Sequence, residues 1–126
     1  GKNFEGIKEK IREFEEMGVE VLSPRPSHVI NSDDEFVLLE SDTTSDPQIV
    51  EQQHLDAIRI ADVLYLYNPN GYIGLSGAME LGWALAFKKL IFAKEPVADA
   101  TLRLFANSVA TPHQIKKRLS RNEVKI

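Results

Sequence analysis

The chain has 126 residues, of which 43% are hydrophobic and 27% charged, and a net charge of -4. This is enough for one globular domain that buries roughly two-thirds of its surface. The acidic balance argues against a dedicated nucleic-acid binder, the lack of cysteine excludes disulfides and thiolate metal sites, and no apolar run nears the ~20 residues that span a bilayer.

In chain order, Phe4, Ile7, Ile11 and Phe14 recur at helical spacing among Lys and Glu, predicting a helix from Phe4 to Met17 that stops at Gly18. Val19–Leu22 reads as a short strand ended by Ser23-Pro-Arg-Pro26. Residues 27–48 are polar and turn-prone, and Phe36–Leu39 within them fits a short strand or one helical turn equally well. Ser45-Asp46-Pro47 is a helix start, with proline at the first helical position. That helix should run to about Ala61, with Ile49, Leu55, Ile58 and Ala61 facing inward. Asp62 leads into a strand, Val63–Tyr67. A glycine-rich loop follows, then a helix from about Ser76 to Phe87, with Lys88-Lys89 at its negative end. Leu90–Ala93 is a compact strand closed by the Glu95-Pro96 turn. Two short helices, Thr101 to Asn107 and Pro112 to Leu119, precede a charged tail that should fray. Alternating helices and strands predict a single-domain α/β fold: a doubly wound parallel sheet of the flavodoxin or Rossmann-like kind, with right-handed crossovers.

The chemistry concentrates in Asn68-Pro-Asn-Gly-Tyr-Ile-Gly-Leu-Ser-Gly-Ala-Met-Glu80. Ligands of doubly wound sheets bind beyond the carboxyl ends of strands, where Asn68 stands. Gly71, Gly74 and Gly77 allow close backbone approach, and the helix beginning near Ser76 offers free amide groups to an anion. Glu80 lies about one turn into that helix and shares a face with Gly77 and Ala84. A carboxylate aimed at a sugar can do glycosyl chemistry; the plainer alternative is a carboxylate that only complements the helix dipole. The glycine spacing does not match the dinucleotide fingerprint, so a Rossmann dehydrogenase is not expected. Tyr72 is placed to stack on a base or to pack on its own loop. Asn68 could bind a sugar or base, or simply make the turn. Tyr65 and Tyr67 read as sheet packing, Trp83 as core or subunit packing, and Asp62 as a cap. Arg25 and His28 follow a strand end and could meet a ligand. His28, His54 and His113 lie too far apart in sequence to suggest a metal site.

On these residues the segment from Glu51 to Phe92 resembles the nucleoside 2-deoxyribosyltransferase-like superfamily. The features that carry the resemblance are the helix ending in Ala61-Asp62, the apolar strand, the glycine loop, Glu80-Leu-Gly-Trp-Ala84, and the strand Lys89-Leu-Ile-Phe92. The helix Phe4–Met17 and strand Val19–Leu22 fit the family's first crossover. The resemblance implies cleavage or transfer at the N-glycosidic bond of a nucleoside or nucleoside 5′-monophosphate, with Glu80 as nucleophile and a glycosyl-enzyme intermediate. It implies no metal or redox cofactor, no nucleic-acid or membrane partner, and a homodimer or larger homo-oligomer. Asn68, Gly71, Tyr72, Gly74, Ser76 and Gly77 then become candidate substrate-binding residues.

Two positions depart from the family pattern. Gly74 stands six residues before Glu80, where transferases carry an acid and a nucleotide-hydrolysing branch carries serine. His54 aligns with an aspartate of the preceding helix; a histidine there could protonate a leaving base, and Asp56 nearby could substitute. These changes touch base exchange more than glycosidic cleavage. Two alternatives stay open: a phosphoribohydrolase of the lysine-decarboxylase-like type, whose usual loop is only approximated, and a non-catalytic nucleotide-binding or sensor module. The family normally opens with an apolar central strand and a glycine-serine loop. Gly1-Lys2-Asn3 looks like the end of that loop, so the first strand is expected to be absent from the sequence, unless Phe36–Leu39 takes its place. A signal-peptide pattern is not seen at the opening residues, and a cytoplasmic location is expected.

Overall fold

The computed structural model of the protein describes residues 2–23, 47–120 and 126. Expectations for Arg25, His28, Phe36–Leu39, the Ser45-Asp46 cap and the tail at 121–125 lie outside these residues. The described fold is mixed α/β. Five α-helices, α1 (Lys2–Glu16), α2 (Pro47–Ile60), α3 (Leu75–Ala86), α4 (Ala100–Arg103) and α5 (Pro112–Arg118), accompany two strands, β1 (Val63–Leu66) and β2 (Leu90–Ala93). A 3₁₀ turn, Pro69–Gly71, follows β1.

β1 and β2 pair in parallel, with Val63 opposite Leu90 and Leu66 opposite Ala93. The crossover between them is α3. Alternation along the strands sends side chains to two faces. Val63 and Phe92 join Ile11, Phe14 and Ile115 in one apolar cluster, so α1 and α5 cover that side. Leu66 and Ala93 join Leu81 and Val97 in a second cluster. Leu55, Ile58 and Ala84 form a third, where α2 packs on α3 against Leu64 and Ile91. Trp83 serves this packing: its indole N–H donates to the Leu55 carbonyl at 3.0 Å.

Most element ends follow local chemistry. Gly18 takes φ +83 just after α1, a backbone conformation in which glycine has no steric penalty. Thr111 and Gln114 form a reciprocal capping box at α5, with Pro112 at the helix start. The end of α3 is closed by Lys89 N–H on the Ala84 carbonyl at 2.9 Å and Lys88 N–H on the Leu85 carbonyl at 3.0 Å. Lys88 therefore occupies the left-handed position of this C-cap at φ 58, where glycine is usual.

Three expectations need correction. Val19–Leu22 is not a regular strand among the described residues. It is an extended segment whose Glu20 carbonyl accepts from Ile126 N–H and whose Leu22 N–H donates to the Ile126 carbonyl. Ile49 is 43% exposed, because the buried side of α2 runs through Leu55 and Ile58 instead. The helix placed at Thr101 to Asn107 is a single turn, α4, started by Asp99, whose side chain accepts from Leu102 N–H; Leu104 and Phe105 form a turn after it.

Candidate functional site

A cavity of about 600 Å³ lies between α1, α2, β1 and the start of α3. Its α1 wall is Ile7, Lys10, Ile11 and Phe14, and all residues from Val63 to Asn68 border it. Successive strand residues point to opposite faces, so a space bordered by all of them runs along the strand's edge. β2 occupies the other edge of β1; no second strand among the described residues pairs with this one.

At the carboxyl end of β1 the cavity is bordered by Tyr72, Gly74, Gly77 and Glu80. Helix α3 begins one residue earlier than its sequence suggested, with Gly74 as the cap residue and Ala78 N–H on the Gly74 carbonyl at 2.9 Å. Tyr72 is 74% exposed and lies within van der Waals distance of where a Gly74 side chain would be, making it a rim residue. A Cβ on Gly77 would meet Ile73 Cγ2 at 2.8 Å, so its lack of side chain lets the loop fold onto the helix.

Glu80 is mostly buried, and its carboxyl is pushed up to about 8. Burial is the largest cause, followed by the side-chain hydrogen bond and the charge of Glu51 on α2. Glu51 Oε2 is buried and has no hydrogen-bond donor among the described residues. A hydrogen bond between the Glu80 and Glu51 carboxyls requires a proton on one of them, as when two carboxyls share a site. Glu51 was not singled out from the sequence, although it stands four residues before Leu55 and seven before Ile58, on the buried stripe of α2.

His54 also borders the cavity, and its Nδ1 hydrogen-bonds Ser23 Oγ from across 31 residues of sequence. Ser23 was likewise not singled out. Tyr65 packs edge-on against Phe14 at 5.2 Å. Its hydroxyl is buried without a hydrogen-bond partner among the described residues, and burial, then the nearby Glu13 and Tyr67, raise its pKa.

The remaining candidates stand elsewhere. Asp56 is exposed and accepts from Gln52 Nε2 at 2.9 Å, away from the cavity wall. Ser76 is exposed and does not border the cavity. Asn68 does border it, but its side chain is occupied: Nδ2 donates to the Glu95 carbonyl at 2.8 Å, and Oδ1 accepts from Glu95 N–H at 3.0 Å. Gly71 has φ +79, and a Cβ there would lie 2.4 Å from the Pro96 carbonyl oxygen. Its own carbonyl accepts from Ala98 N–H at 3.0 Å. Asn68 and Gly71 thus tie the loop after β1 to the turn after β2. No group of three potential metal ligands occurs among the described residues.

Comparison with known proteins gives no significant match to any family profile, curated protein or solved structure. The cavity must be read from its own chemistry.

Proposed function

We propose that the protein cleaves or transfers at the N-glycosidic bond of a nucleoside or nucleoside 5′-monophosphate, with Glu80 as nucleophile. The observation that carries this reading is a mostly buried carboxyl on a cavity wall, beside the side-chain-free backbone of Gly74 and Gly77 and against a second carboxyl. In the proposed reaction Glu80 carboxylate attacks C1′ and forms a glycosyl ester. The C1′–N bond breaks, its electron pair stays on the base nitrogen, and a proton from His54 neutralises the departing base. Water or an acceptor base then attacks C1′ and releases Glu80, returning a proton to His54. Tyr72 at the rim supplies an aromatic face for the base. Asn68 and Gly71 act through the loop they hold.

A nucleophile must be ionised. With its carboxyl raised to about 8, Glu80 imposes an acid limb near that pH: turnover rises as the proton leaves. The opposing reading, a binding module without turnover, draws on the same observation, since burial and Glu51 favour the protonated form of Glu80 and Gly74 brings no helper group.

The reading also takes β1 as an inner strand of a doubly wound parallel sheet. A further extended segment on its cavity edge, where no strand among the described residues pairs, would narrow the space to its mouth at Tyr72, Gly74 and Glu80. Self-association fits the exposed Leu75 and Met79, one turn apart on α3. A cytoplasmic location goes with such substrates.

Incubation with a panel of nucleosides and 5′-monophosphates, followed for free base, tests the proposal. Base release by the wild type that Glu80→Gln abolishes, while ligand binding persists, is expected. Binding without release favours the sensor reading.

A further inference from the structure

Helix α3 lacks a polar face. Glu80 is its only charged residue and borders the cavity; Ser76 is its only other polar one. Leu81 and Ala84 are buried in the fold. The face opposite them carries Leu75, Met79, Gly82 and Ala86, all exposed, with Leu75 93% and Met79 48% accessible to solvent. A surface helix ordinarily turns charged or polar residues to water, and an apolar stripe left bare marks a contact.

Gly82 adds a second observation. Gly6 and Gly77 have reasons inside the chain, since a Cβ on either would run into Tyr67 or Ile73. Gly82 has no such reason: no described residue comes within 4 Å of where its Cβ would be, and it does not take a left-handed φ. Glycine is the weakest helix former after proline, so it weakens α3 without serving the packing of its own chain. Its missing side chain leaves room for something outside.

Spacing and size say what that is. The four exposed residues stand four, three and four positions apart, the spacing of a seam along which one helix packs on another. The large side chains occupy the first half of the seam and the small ones the second. Turned end for end, the seam fits itself: Leu75 meets Ala86 and Met79 meets Gly82, each large residue entering the gap left by a small one. A parallel copy would set Leu75 on Leu75 and Gly82 on Gly82, crowded at one end and hollow at the other. A surface that matches its own reversed copy is what a twofold dimer requires. The smallest specific dimers bury about 600 Å² per partner, and exposed Leu75, Met79, Leu85 and Phe87, with the small residues between them, offer on the order of that area.

We infer that α3 is a homodimer interface, two copies packing antiparallel through Leu75, Met79, Gly82 and Ala86 about a twofold axis that passes between Met79 and Gly82. This gives the self-association proposed above a surface, a register and a direction. It stands apart from the N-glycosidase reading, and an absence of base release would leave it untouched.

The test is sedimentation velocity on the whole chain over a range of concentrations, joined to disulfide trapping, which the lack of native cysteine makes clean. The wild type is expected to pass from one chain to two in the micromolar range. Gly82→Arg should raise the dissociation constant about a hundredfold or more, because its side chain fills the seam. Its melting temperature, taken where both proteins are single chains, should equal or exceed that of the wild type, showing that the fold is kept. Oxidation of a mixture of Met79→Cys and Gly82→Cys chains should give chiefly the mixed disulfide. A single chain at every concentration, as when another protein's helix is the true occupant, overturns the inference. So does a dimer that Gly82→Arg leaves intact, or disulfides chiefly between identical positions.

Discussion

The two edges of β1 are built differently. One is closed by β2, and beyond it the loops are tied together: Asn68 holds the Glu95 main chain with both ends of its amide, and Gly71 lies against Pro96 and Ala98. The other edge faces the cavity, where Glu80, His54 and Ser23 come from three separate elements and Glu51 on α2 meets Glu80. On the closed edge polar groups are spent on structure. On the cavity edge they are gathered near space. A residue's type and its position at a strand end therefore do not decide whether it can meet a ligand; the partners already holding it do.

Substitutions should separate the two edges. The largest expected effect is on the cavity side: Glu80→Gln should lower base release by ~10³-fold or more while leaving the fold intact, checked by kinetics alongside circular dichroism. On the closed side, Gly71→Ala places a Cβ into the Pro96 carbonyl at a left-handed φ, and should cost about 2–4 kcal/mol in urea unfolding. Asn68→Ala strips two hydrogen bonds from the Glu95 main chain, and should cost about 1–3 kcal/mol by the same measurement. If Asn68→Ala removed ligand binding while leaving stability untouched, the contrast between the edges would collapse.

The carboxyl pair gives a pH test. Between the ordinary value of 4.5 and about 8, the folded protein holds a proton on Glu80 that the unfolded chain has released. Stability should therefore be highest below that window and fall as pH rises through it. Glu80→Gln should flatten this dependence. Glu51→Gln should lower the Glu80 pKa in part, since burial remains when the neighbouring charge is removed. The smallest expected effect is at Lys88, where glycine would relieve the left-handed φ of 58 and stabilise by up to about 1 kcal/mol in thermal unfolding.

Helix α1, the Pro47 helix start, β1 with its glycine loop, and β2 were legible because each carries its own local signal: apolar period, a proline, a glycine or a compact apolar run. Val19–Leu22 has the composition of a strand, but strand status depends on a neighbour, and the described partner is only Ile126. Glycine roles were half legible. A glycine at φ +79 announces a special backbone, yet whether ligand or protein fills the space beside it depends on the distant Pro96. Glu80 could be picked out from its place one turn into α3. Glu51 could have been found by extending the buried stripe of α2 backward one turn. Ser23 could not, because its contact joins two elements whose relative placement no local pattern specifies.

The central claim is that Glu80 forms a covalent bond to a sugar carbon inside this cavity. Incubation with a nucleoside bearing fluorine at C2′, which slows breakdown of a glycosyl ester, followed by intact-mass and peptide mass spectrometry, tests it directly. The account predicts one added fluorosugar on the peptide containing Glu80, absent from Glu80→Gln. Free base released with no sugar on Glu80, or an adduct on another residue, would contradict it.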